Sequence, residues 1–156
     1  MGKDVGQVGW RAMDGLDDFS RSFADALFAA VPDLRDHARA EKGWLLIDLE
    51  PGPERQDCRF WISSDREEIT VGFGMFHTHF CWPLPDQWPE SDPIKFIRSL
   101  MADETLIEDW TFDDKWSGSS VLAATEEPDL RGRTPGSVVY IRSWSGALDR
   151  VIITGR

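Results

Sequence analysis

Glu68-Ile69-Thr70-Val71-Gly72-Phe73-Gly74-Met75-Phe76-His77-Thr78-His79-Phe80-Cys81-Trp82 is the stretch whose reading decides the fold class. Its period is two, with Val71, Phe73 and Met75 on one side and Phe76, Phe80 and Trp82 on the other. A strand that is apolar on both faces belongs in the middle of a sheet, covered on both sides. Gly72 and Gly74 mark a bulge, or a point where another element's backbone comes close. Working back from this strand, Ser64-Asp65-Arg66-Glu67 is a tight connection to a strand at Cys58 to Ser63. Pro51-Gly52-Pro53-Glu54 is a turn behind a strand at Trp44 to Leu49. The three strands form an antiparallel meander.

Upstream the period is 3.6. Leu16, Phe19, Phe23, Ala26, Leu27 and Ala30 follow the i, i+3, i+4, i+7 spacing of an amphipathic helix, with Asp14 as its expected N-cap. Pro32 ends or kinks that helix near Val31, and a further helical stretch from Asp33 to Lys42 is expected to stop at Gly43. Downstream, Pro83 to Ser91 is a proline-bearing loop, and Asp92-Pro93 opens a second helix with Ile94, Ile97, Leu100 and Met101 on its buried stripe. Strands are expected at Leu106 to Phe112, Ser119 to Ala124, Ser137 to Trp144 and Arg150 to Thr154, with a loop from Thr125 to Gly136. The expected fold is a single α+β domain over residues 1–156. It has a mainly antiparallel sheet of six to seven strands, with an N-terminal helix and a second, mid-chain helix packed on it.

Composition narrows the function classes. With 156 residues the chain is long enough to bury a core without disulfide or metal staples. Asp and Glu number 28 against 17 Lys and Arg, a net charge of −11, which excludes a surface built for nucleic-acid phosphates or anionic lipid. The longest apolar runs fall far short of the ~20 residues of a membrane span. The opening Met1 to Gly6 lacks the apolar region of a secretory signal, and Gly6 stands where a myristoylation motif has Ser or Thr. Two cysteines, Cys58 and Cys81, without a CxxC, fit a reducing cytoplasm. The chain has no Asn, and its 13 Arg outnumber 4 Lys. That bias reflects a GC-rich, bacterial genome rather than chemistry.

Four sets of residues could carry chemistry. On a strand His77, His79 and Cys81 share a face, and His and Cys are zinc ligands. These three are the candidate metal site, for a metal-dependent enzyme or a metal-binding protein. The neighbours match none of the familiar signatures, since Pro83 and Leu84 stand where a cupin has an acid and Cys81-Trp82 where a metallo-β-lactamase has Asp-His. The competing reading is a pair of hydrogen-bonded strand histidines. Ser143 and Ser145 lack the glycine two residues before the serine that a nucleophile elbow requires, so Ser145-Gly146 reads as a turn. Eight tryptophans include Trp82 and Trp88 flanking the proline loop, where an exposed indole anchors a protein interface or stacks on a sugar. The carboxylates, none at calcium-loop spacing, either solvate the surface or steer a basic partner. Trp82, Asp86, Trp88, Glu90, Asp113 and Asp114 are the expected partner-binding residues.

The stretch from Ile69 to Phe80, the Asp92 to Leu100 helix and Ser143-Trp144-Ser145-Gly146 give the chain a resemblance to the small acidic α+β immunity proteins that accompany bacterial toxins. The resemblance implies a non-catalytic protein, without a cofactor, that masks a basic toxin with acidic and aromatic residues.

Overall fold

The computed structural model describes residues 13–155. The expectations for Met1 to Gly6 lie outside those residues. Helix α1 (Asp18–Ala30) buries Phe23, Ala24, Leu27 and Phe28, the stripe its periodicity marks. Its N-cap is Asp17 rather than Asp14. Asp17 has extended backbone, so its carboxylate reaches back to accept the Ser20 N–H at 2.7 Å. The helix ends at Val31, whose N–H donates to Leu27 at 2.7 Å, immediately before Pro32.

The next segment departs from the expected helix over Asp33 to Lys42. A 3-10 turn spans Pro32–His37, and β1 (Ala38–Glu41) then pairs antiparallel with β2 (Trp44–Leu49). Lys42 and Gly43 both have left-handed backbone, with φ of 54° and 90°, which is the type I′ arrangement that matches strand twist. The residues of β1 are adequate helix formers. A helix of so few residues is marginal, however, and here the same backbone groups find partners on β2.

Strand β3 (Phe60–Asp65) pairs with β2, placing Trp61 opposite Asp48. The expected single strand from Glu68 to Trp82 is two strands, β4 (Glu68–Phe73) and β5 (Phe76–Cys81). They are joined by Gly74 and Met75, and the φ of 62° at Gly74 reverses the chain. The sheet order is β1-β2-β3-β4-β5. β4 is buried from Ile69 to Phe73, as an interior strand should be, whereas β5 is an edge strand that alternates half-buried and exposed residues. Met75, expected on a covered face, is an exposed turn residue. Leu45, Ile47, Phe60, Ile62, Ile69 and Val71 are buried, and α1 joins them through a buried 2.5 Å hydrogen bond between the Ser20 and Ser64 hydroxyls.

Helix α2 (Pro93–Met101) begins as expected, with Pro93 at its first position and the Ile94 N–H donated to Asp92 at 2.8 Å. Ile97 and Leu100 are fully buried. Four strands follow: β6 (Thr105–Phe112), β7 (Lys115–Ala123), β8 (Val138–Arg142) and β9 (Arg150–Ile153), in the order β7-β6-β8-β9. Leu106, Leu122, Val139 and Ile141 form the core of this second sheet, with Trp110, Leu130 and Ile152 packed against it. On β9, which has a free edge, Val151 and Ile153 are exposed.

The architecture is α+β, with the N-terminal and mid-chain helices both present and antiparallel strand pairing. The described strands number nine and divide between two sheets, rather than six to seven in one. The chain groups into two compact units, one of residues up to Gly72 with His77–Ile94, the other of Phe73–Phe76 with the residues from Lys95 onward. Among the described residues no helix is long and apolar enough to cross a membrane.

Candidate functional site

The most distinctive exposed feature is the β6–β7 hairpin of the second unit. Its two turn residues, Asp113 and Asp114, both have left-handed backbone, with φ of 50° and 58°. Two carboxylates therefore stand side by side at a type I′ turn, a conformation that costs a residue other than glycine roughly 1–2 kcal/mol. Phe112 and Trp116 flank them and are both exposed, Trp116 by 51%. Trp116 does not swing freely, because its indole N–H donates to the Ser119 hydroxyl at 3.0 Å, and that hydroxyl donates in turn to Asp109. The hairpin presents negative charge between two held aromatic rings.

The proline loop of the first unit repeats the combination less tightly. Asp86, Trp88 and Glu90 are exposed, Trp88 by 48%. Trp82 is half-buried. Its ring meets Phe23 edge-on with centroids 5.3 Å apart, and its N–H donates to the Ser22 hydroxyl at 3.2 Å. Of the six expected partner residues, the structure groups Trp82, Asp86, Trp88 and Glu90 in one unit and Asp113 and Asp114 in the other.

His77, His79 and Cys81 lie on one exposed face of β5, as the strand period requires. His79 Nδ1 is 2.6 Å from a Glu68 carboxylate oxygen and 3.1 Å from the Thr70 hydroxyl. A carboxylate only accepts, so Nδ1 carries the proton and Nε2 faces outward. The His77 ring sits edge-on to His79 at 5.3 Å and 6.5 Å from the Trp61 ring. Among the described residues no three or more His, Cys, Asp and Glu side chains gather closely enough to hold a metal ion.

Two further places were not marked by the sequence reading. On the outer face of the first sheet, the Trp61 indole lies over Gly72, where an added Cβ would come within 2.1 Å of the ring. Gly72 thus makes room for a side chain, not for another backbone. Trp61 borders a groove of about 310 Å³ with Arg39, Leu46, Asp48, Arg59 and Ser63. Arg59 donates through Nε to Asp48 at 2.8 Å and through a terminal nitrogen to its other oxygen. This hydrogen-bonded pairing holds the Asp48 carboxyl below its ordinary range and raises the Arg59 guanidinium above its own.

The second unit repeats the device. Trp110 lies over Gly118, its cross-strand partner, where an added Cβ would meet the ring at 2.3 Å. The Arg133 guanidinium sits 3.9 Å from the centre of the Trp110 ring and pairs with buried Glu108. Burial pushes the Arg133 guanidinium down from its ordinary range. These rings border a cleft of about 410 Å³ with Phe112, Asp129, Arg131 and Thr134. There Arg131 grips Asp129 through two side-chain hydrogen bonds and lowers its carboxyl to about 2. The one sequence signal for both places is a glycine within a strand of bulky residues.

The serines at the end of the chain serve turns. Ser143 donates through both its N–H and its hydroxyl to Asp149, and Ser145 does the same to Asp103. Neither bonds a histidine. Compared with protein-family models, curated proteins and solved structures, the chain matches none.

Proposed function

We propose that the chain is a non-catalytic protein-binding module that engages a basic partner, and that it neutralises a basic toxin in the manner of an immunity protein. The observation that carries this reading is the Asp113-Asp114 turn set between the exposed rings of Phe112 and Trp116. Protein interfaces concentrate binding energy in aromatic anchors, and charges at their rim accelerate encounter. A net charge of −11 gives the whole molecule the sign that attracts a basic partner. Asp86, Trp88 and Glu90 add a second acidic and aromatic segment, and the two cysteines, which form no disulfide, suit a reducing cytoplasm.

The test is capture of the partner on the immobilised protein at low and moderate salt, followed by titration of the purified partner against charge-reversed variants. A stoichiometric basic protein is expected. Its affinity should fall at least about tenfold for Asp113→Lys with Asp114→Lys, mainly through a slower association that is also salt-sensitive. An affinity unchanged both by that pair and by Asp86→Lys with Glu90→Lys rejects the surface.

A further inference from the structure

The outer face of the first sheet carries a second site, independent of the acidic hairpin. Its groove of about 310 Å³ has Leu46 and Asp48 of β2 along it, Arg39 of β1 on one side, and Arg59, Trp61 and Ser63 of β3 on the other. This volume is at the small end of the range for ligand pockets. Trp61 is half-buried and set in place, since its indole rests on the backbone of Gly72, where no Cβ intrudes. A ring fixed in this way loses little freedom when a ligand lies against it.

The polar groups restrict the chemistry of that ligand. Asp48 and Arg59 are locked to each other by two hydrogen bonds, so their charges cancel locally. What remains is a carboxylate with spare lone pairs beside a guanidinium with spare N–H groups. Two adjacent hydroxyls match that arrangement, because each donates and accepts at once. A phosphate or other anion gains nothing from a neutralised arginine and meets a chain of net charge −11. The Ser63 hydroxyl adds one more neutral partner at the groove, and the indole supplies an apolar surface. A neutral ring with C–H groups on one face and hydroxyls at its edge meets all three demands.

We infer that this groove is a saccharide-binding site, in which a pyranose ring lies against Trp61 and its hydroxyls bridge Asp48 and Arg59. The test is a titration followed by indole N–H resonances, with the Trp61 signal assigned from Trp61→Phe. The probes are the methyl glycosides of glucose, galactose, mannose and N-acetylglucosamine, together with oligosaccharides of each. At least one should shift the Trp61 resonance saturably while leaving those of Trp110 and Trp116 in place. Both Asp48→Asn and Arg59→Gln, at exposed or half-exposed positions, should weaken that binding at least about tenfold by leaving a hydroxyl unpaired. The hairpin pair Asp113→Lys with Asp114→Lys should leave it unchanged, which keeps this site separate from the partner surface. The inference is overturned if no saccharide shifts Trp61, or if the shift persists undiminished in Asp48→Asn and Arg59→Gln.

Discussion

Trp110 and Trp61 show how much one missing methyl group decides. Each indole lies across a glycine of the neighbouring strand, and at Gly118 the indole also carries a guanidinium on it. Glycine in a strand interior ordinarily weakens it, and here the covering ring offsets that by packing on the bare backbone. An alanine at Gly118 would set its Cβ 2.3 Å from Trp110 Cζ2, so the ring must move and Arg133 must lose its seat. Gly118→Ala is expected to cost about 1–3 kcal/mol in urea unfolding and to diminish the near-ultraviolet circular dichroism of the fold. A variant with wild-type stability and an unchanged spectrum would show that the ring is not held this way. Arg133 and Glu108 stand 25 residues apart along the chain, and no periodicity links a loop arginine to a strand glutamate. That separation kept the cleft out of sight until the strands were paired.

At the scale of elements, what could be read from sequence divides by the range of the forces involved. Helix α1 was legible because its stripe of Phe23, Leu27 and their neighbours is a local pattern, and α2 because Asp92-Pro93 is a local cap. The start of α1 was misplaced by three residues because Asp14 and Asp17 are both competent caps, and only the fold shows which one reaches an N–H. Asp17→Ala is expected to remove about 1 kcal/mol of stability, whereas Asp14→Ala, at an exposed turn position, should change the unfolding midpoint little. Equal effects of the two substitutions would return the cap to Asp14. β1 was missed for a different reason. Ala38-Arg39-Ala40-Glu41 carries no strand propensity of its own, and it is extended because β2 lies alongside. The split of residues 68–82 into β4 and β5 turns on one left-handed glycine inside an apolar run that reads equally well as continuous.

For the whole molecule, the candidate surface was legible as chemistry but not as geometry. Acidic pairs and tryptophans can be counted in the sequence. That Asp113 and Asp114 share a turn, and that Phe112 and Trp116 stand on either side of it, depends on where β7 begins, and it begins four residues earlier than its period suggested. The shared face of His77, His79 and Cys81 follows from strand period alone, while the carboxylate beside His79 comes from β4. Charge acts at the same scale, and it meets β9 at the border of the second sheet. That strand has one bonded neighbour, and its Val151 and Ile153 side chains are 54% and 72% exposed. An unpaired apolar edge is a template for the next copy of the chain, and mutual repulsion between molecules of charge −11 keeps those edges apart. Near pH 4.6 the repulsion vanishes. Turbidity and dye-binding fibrils should then appear in the wild-type protein and be suppressed by Ile153→Lys, and equal turbidity in both would clear the edge of blame. Solubility in this protein is a property of its ionisation state, with β9 setting what happens when that protection is withdrawn.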